Sequence, residues 1–380
     1  MADTATQATD PAAGAPQRTD PVRLAIVGSG WRAAFFARMA ARLPDELEVV
    51  GVTSRRWESA ARAAHEWGTA AYDSVAGLVT QARPDLVVVS VPWDATPGLV
   101  TDLVERDVRV LAETPPAPTL PALRELWAAV GATGSVQVAE QYLRYPGHAA
   151  RLAIVREGTI GIPTSVQVSS THGYHAVSLM RGLLQHKGFD PVCVSARRFT
   201  APLVDPLARD AWTDDLTPKP AATVLATIDF GDAHGLYDFT DNQWHNQLRH
   251  RRILVRGSRG EIQDDDVTHL VDERTILSSP IVRRQLGHDL NLDGHDTEHL
   301  SFEGRVVWRN PFVGQRLMDE EIAIATLLRD TAAWVRDAGP EPYPLAQASQ
   351  DHAISLALDD AVTSGDDVTL ARQPWASSAS

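Results

Sequence analysis

The residues best suited to chemistry cluster in a few short stretches. His172, Tyr174 and His175 fall within four consecutive positions, and imidazole gives or takes a proton near neutral pH, so His175 is the leading acid/base candidate. A helix-start histidine satisfied by backbone is the plainer alternative. Tyr142 offers a phenolic proton, although a tyrosine after a strand more often packs, so it is read as a substrate contact. Glu113 directly follows an expected strand at 109–112 and precedes Pro115 and Pro116, which stiffen the loop. There it could meet a ribose or sugar hydroxyl, or simply close the loop. Residues 241–252 combine Trp244 with amides, histidines and arginines, a mixture suited to a polyhydroxylated ligand or to a solvated edge. As a strand, this segment would alternate Gln243, His245 and Gln247 on one face with Trp244, Asn246 and Leu248 on the other.

A second chemistry lies near the start. Gly28, Ser29, Gly30, Trp31, Arg32 and Ala33 match G-x-G-x-x-G/A between an expected strand and an expected helix. In that setting the first glycine permits a tight turn, the second admits a pyrophosphate against the backbone, and the third small residue lets helix and strand pack closely. The phosphates then meet the free amides of a helix N-terminus. At the end of the next expected strand stand Ser54, Arg55 and Arg56, where an NAD site would place a carboxylate. A hydroxyl and two guanidinium groups suit a 2′-phosphate, so NADP is the expected cofactor, with NAD as the alternative.

Metal chemistry is not expected. His288, His295 and His299 lie among Asp289, Asp293, Asp296 and Glu298, and the spacing of His295 and His299 would share one face of a helix, but Gly287 and Gly294 interrupt helix there. The single cysteine, Cys193, excludes an intrachain disulfide and any thiolate cluster. A formal charge of −14 over 380 residues opposes nucleic acid and anionic lipid as partners. No apolar run approaches the length of about 20 residues needed to span a membrane. The first 20 residues lack an apolar segment and read as a flexible tail rather than a secretory leader, which points to the cytoplasm.

The elements that must hold these residues fall into two sets. Strands are expected at 22–27, 47–53, 86–91, 109–112 and 135–139, with helices at 31–42, 57–67, 74–81, 96–106 and 120–130. Such alternation requires a parallel sheet covered on both faces, a Rossmann-type dinucleotide domain over 21–140. Residues 141–380 read as an α+β domain. It begins with a helix at 147–156, continues with strands at 163–170, 192–199, 223–229, 236–241, 252–256 and 268–272 in an open, mostly antiparallel sheet, and closes with helices at 319–337 and 346–363.

The segments in order resemble the glucose-fructose oxidoreductase/inositol dehydrogenase/MocA family over nearly all of the chain after the tail. Besides the glycine turn, the matching stretches are 89–92, ending at Pro92 on the nicotinamide side; 110–115; 137–142, which includes Gln141 and Tyr142 and leads toward substrate; and 172–184. Residues 351–370 match the family's late helix and final strand. The resemblance implies an NAD(P)-dependent oxidoreductase that moves hydride to or from a sugar, polyol or related hydroxyl or keto compound, acting as a homo-oligomer (dimer or tetramer). It places Pro92 and Glu113 at the cofactor, and Thr114, Gln141, Tyr142, His172 and Tyr174 at the substrate. Two positions depart from the pattern. Thr114 stands where the family has the lysine that steadies the reacting oxygen, and Thr171 stands where it has an aspartate four residues before His175. These losses raise two alternatives: sugar hydrolysis or elimination through transient oxidation on tightly held cofactor, and a non-catalytic cofactor-binding sensor.

Overall fold

The computed structural model describes residues 20–207, 211–287, 289 and 294–378. Its first unit contains β1 (Val22–Val27), α1 (Trp31–Ala40), β2 (Leu47–Thr53), α2 (Trp57–Trp67), β3 (Ala71–Tyr72), α3 (Val75–Ala82), β4 (Leu86–Val89), α4 (Thr96–Glu105), β5 (Arg109–Ala112), α5 (Leu120–Val130) and β6 (Val136–Val138). All six strands run parallel in the order β3-β2-β1-β4-β5-β6. The sequence dictates this arrangement locally. Every residue of β4, Leu-Val-Val-Val, is buried, as a central strand covered on both faces requires. Ser74 accepts the Gly77 amide at 3.1 Å and Thr119 the Ala122 amide at 3.3 Å, so hydroxyl N-caps start α3 and α5. The strand order reverses between β1 and β4, which opens the crevice at the carboxyl edge where ligands of such sheets bind.

The second unit starts with α6 (Pro146–Arg156), β7 (Pro163–Ser169) and α7 (Gly173–Leu183). It continues with β8 (Val192–Leu203), β9 (Lys219–Asp229), β10 (His234–Thr240), β11 (Arg252–Gly257), β12 (Gly260–Gln263), β13 (Asp266–Leu270), β14 (Ile276–Leu286), β15 (Asp296–Phe302) and β16 (Arg305–Arg309), then α8 (Asp319–Val335), α9 (Leu345–Ser364) and β17 (Val368–Leu370). Eleven strands form one sheet, ordered β16-β15-β14-β13-β12-β11-β7-β10-β9-β8-β17. Only β7 and β10 pair in parallel. One face of this sheet carries Val166, Val168, Val194, Ile228 and Val255 into a core shared with α7 and α9. Helix α8 returns to the first unit, where Ile322, Ile324, Leu327 and Leu328 bury against β1 and α1.

Three sequence expectations differ from the structure. Residues 241–250 form turns rather than a strand, because Asn242 adopts a left-handed φ of +64° and its carbonyl accepts the amides of His245 and Asn246. His299 lies on strand β15 and His295 precedes it, so no helical face unites them. The alternation also gives no strand for 260–263, 276–286, 296–302 or 305–309, where the structure has β12, β14, β15 and β16. Most of β14 is exposed and it carries Pro280, so no inward-facing apolar period marks it.

Candidate active site

The six parallel strands bring their carboxyl ends to one edge of the first sheet, and residues expected at the site follow β1, β2, β4, β5 and β6 there. Gly28 ends β1 at φ +128°, and a Cβ on it would lie 2.0 Å from the Ser90 carbonyl oxygen. Only glycine fits that crossing of β1 and β4. Gly30 caps α1 with open space where its Cβ would be, and Ala33 is fully buried beneath, so Ser29, Gly30 and the first turn of α1 leave backbone accessible to a ligand. Trp31 projects outward at 52% exposure. At the end of β2, Ser54 Oγ donates to the Arg56 carbonyl at 3.1 Å. Arg55 and Arg56 are exposed, and among the described residues neither has a carboxylate partner. Pro92 lies in the exposed turn after β4.

Arg32 takes a different position from the one its motif suggests. Its Nη1 donates to Glu320 of α8 at 2.8 Å, and its Nε stands 3.4 Å from Glu113. The guanidinium therefore clamps α8 to the end of β5. Glu113 Oε1 also receives the Thr114 hydroxyl at 3.5 Å, whereas Glu113 Oε2 is buried with no hydrogen-bond partner. Burial raises the Glu113 pKa above the ordinary carboxylate range despite Arg32.

His175 lies in the first turn of α7. Its Nδ1 is 2.7 Å from Oε2 of Glu140, a carboxylate with no exposed side-chain surface at the end of β6. Glu140 Oε1 accepts the Tyr142 amide at 2.9 Å. A carboxylate only accepts, so His175 carries its proton on Nδ1 and leaves Nε2 as the free basic atom. Tyr142 stacks on the imidazole at 4.4 Å, and burial holds its phenol above the ordinary range. His172 meets His175 edge-on at 5.4 Å and Trp244 at 5.5 Å, while Trp244 lies parallel to Phe239 at 5.8 Å. Burial, with the nearby His175, lowers the His172 pKa to about 4. The result is an aromatic wall beside the dyad.

Polar groups without partners complete the cleft. Both amide atoms of Gln141 are buried and unpaired, and the Thr171 hydroxyl is fully buried without a hydrogen bond of normal geometry. Buried orphans of this kind cost free energy unless a ligand or water reaches them. Tyr174 lies deeper, packed between His175 and His352, with its hydroxyl unpaired. Glu140 escaped the sequence reading, although it ends a strand on the same edge as Glu113. Of the acidic and histidine cluster near 290, His288 and Asp293 lie outside the described residues. Among the described residues no group of three or more His, Cys, Asp or Glu could hold a metal.

A doubly wound parallel sheet with a glycine turn at its switch point is joined to an open, mostly antiparallel sheet, and α7 sets His175 beside Glu140 at the end of β6. Residues 22–142 match the model of the oxidoreductase family with NAD-binding Rossmann fold, the glucose-fructose oxidoreductase/inositol dehydrogenase/MocA group. The chain is similar to dTDP-3,4-didehydro-2,6-dideoxy-alpha-D-glucose 3-reductase of Actinomadura kijaniata, at 29% identity over 164 residues, covering 41% of this chain. That match spans about half, 47%, of the relative's length. The fold is similar to that of an NAD binding oxidoreductase from Klebsiella pneumoniae, with a TM-score of 0.68 at 15% identity, covering 93% of this chain and 100% of the other. It is also similar to levoglucosan dehydrogenase in complex with NADH and levoglucosan, with a TM-score of 0.67 at 16% identity, covering 92% and 99% respectively.

Proposed function

We propose that this protein is an NADP-dependent oxidoreductase that moves hydride to or from a carbinol carbon of a sugar, polyol or related hydroxyl or keto compound, with His175 handling the proton. The observation that carries this reading is the buried His175–Glu140 pair at 2.7 Å, set at the same sheet edge as the Gly28 turn. A nicotinamide bound at this edge supplies or accepts the hydride. Gly28, Ser29 and Gly30 would admit its pyrophosphate, the unpaired Oε2 of Glu113 and the Pro92 turn would border its nicotinamide half, and Arg55 and Arg56 would meet a 2′-phosphate. In this reading Ser54 supplies backbone geometry there, because its hydroxyl is engaged by Arg56.

The chain's own residues manage the developing charge. Thr114 is a neutral donor, so the proton of the reacting oxygen is managed chiefly at His175 Nε2, which as imidazolium gives a proton to the oxygen during reduction and as neutral imidazole takes it during oxidation. Glu140 holds the imidazole tautomer and stabilises the imidazolium when the proton arrives. Gln141, Thr171 and His172 offer unpaired or pocket-facing polar groups, while Tyr142 and Trp244 supply faces on which a sugar's C–H surface packs. The relatives named for a deoxy-sugar reductase and for levoglucosan dehydrogenase support the substrate class.

A cytoplasmic, homo-oligomeric protein fits this reading. Phe199, Leu225 and Leu236 lie on the outer face of the eleven-stranded sheet, a surface suited to a second copy. No helix among the described residues is long and apolar enough to cross a membrane. The test is to mix the purified protein with NADP or NADPH and a panel of sugars, polyols and ketoses and follow reduced nicotinamide. Turnover that disappears in His175→Ala supports the proposal; silence across the panel, or turnover indifferent to that substitution, overturns it.

A further inference from the structure

Behind the dyad, away from the glycine turn, α6, α7, residues 340–347 and Trp308 enclose a cavity of about 990 Å³. Leu143, Leu152, Trp308, Pro340 and Pro342 give it apolar walls. Five charged side chains line it: Arg144, Arg156, Arg181 and Lys187 against the single Glu341. Arg144 is matched by Asp330 at 3.0 Å, and Arg181 is bound to the buried Asp351. Arg156 and Lys187 are exposed at the mouth, and among the described residues neither meets a carboxylate. Deeper in, Arg181 is 4% exposed, yet its Nε is buried with no hydrogen-bond partner. His186 adds no standing charge, since burial lowers its pKa.

A cavity with net positive lining in a chain of charge −14 is specialised, because the rest of the surface repels anions. Its volume lies at the upper end of the ordinary small-molecule range, about 300–1,000 Å³. We infer that this cavity binds a small organic anion, with an aromatic or alicyclic body against Trp308 and the prolines and one anionic group between Arg156 and Lys187. The site is distinct from the cleft and touches the dyad only from behind. Ser178, in its wall, donates to the His175 carbonyl at 3.0 Å, and Arg144 donates to the Glu140 carbonyl at 3.2 Å.

The probe is 8-anilinonaphthalene-1-sulfonate, which joins an aromatic body to one anionic group, titrated into the full chain and followed by tryptophan-sensitised emission. The expected result is saturable binding that weakens at least tenfold in the double variant Arg156→Glu, Lys187→Glu. The same loss is expected in Ala153→Trp, which fills the cavity without changing its charge. Arg62→Glu, an exposed arginine on α2, leaves the affinity as it was. Absence of saturable emission, or equal affinity in wild type and the double variant, overturns the inference; probe held elsewhere, including the nucleotide cleft, gives the second result.

Discussion

Replacing Glu140 by glutamine preserves shape and removes charge at the centre of the proposed mechanism. In the native site Oε1 accepts the Tyr142 amide at 2.9 Å and Oε2 accepts from His175 Nδ1 at 2.7 Å. A glutamine carries one acceptor oxygen, and it faces two donors. If the oxygen stays on the Tyr142 amide, the new NH₂ points at His175 Nδ1 and drives the proton to Nε2, turning the basic lone pair away from substrate. If the amide flips, its NH₂ abuts the Tyr142 N–H and leaves a buried donor unpaired, at a cost of about 1–3 kcal/mol. The flipped form keeps the His175 tautomer at that cost, so the first form is the one expected; it removes the acid/base contribution of His175, typically about 10²–10⁴-fold in rate, or roughly 3–5 kcal/mol of barrier. Steady-state kinetics on a substrate found in the panel should show kcat down by that factor. NADPH affinity should stay within about twofold, because the glycine turn and the arginines are untouched. Nitrogen-15 spectra of the imidazole report the tautomer independently of any substrate. A Glu140→Gln protein that turns over at the wild-type rate and keeps the His175 proton on Nδ1 would refute the reasoning.

Further outcomes follow from the same geometry. Gly28→Ala places a methyl 2.0 Å from the Ser90 oxygen at a φ of +128°, so we expect at least about 3 kcal/mol of destabilisation in urea melts and loss of nucleotide binding. Arg55→Glu with Arg56→Glu should weaken NADPH binding by about 10–100-fold, the worth of one or two charge-assisted hydrogen bonds, and leave NADH within about threefold in a fluorescence titration. Acid should destabilise the fold through histidines held neutral. Burial lowers the pKa of His352 to about 4 and of His148 to about 3, the latter also accepting from Arg151 at 3.2 Å. Their contribution is complete above the unfolded value near 6.5 and is lost as pH falls below it, by about 2 kcal/mol each at pH 5. Asp351, raised by burial to about 6, works in the opposite sense and recovers about 1 kcal/mol between pH 7 and 5. Denaturation midpoints at pH 7 and 5 should therefore differ, and His148→Gln should narrow the gap.

The first unit was legible because its signals are local. Val22–Val27 followed by Gly28 and Gly30, and the unbroken apolar run of β4, mark strand, turn and sheet without reference to distant residues. The second unit was harder to read where strands face solvent. β14 and the outer half of β8 carry no buried period, and they are strands because the next strand in the chain pairs with each of them. The site divides the same way. His175 and the glycine turn stand out by residue type and spacing, but Glu140 meets His175 only when the end of β6 and α7 come together, 35 positions apart. Arg32 shows the reverse: its motif position suggests a ligand, while α8, 288 residues later, supplies Glu320 to hold it.

The central claim, hydride transfer at this sheet edge with His175 managing the proton, is tested most directly by isotope transfer. NADPH carrying deuterium at both hydrogens of nicotinamide C4 is mixed with the protein and a reducible keto sugar, and the product is read by mass spectrometry. The account predicts one deuterium on the new carbinol carbon with wild-type protein and none with His175→Ala over the same interval. Product that forms without the label, or label transferred equally well without His175, would contradict it.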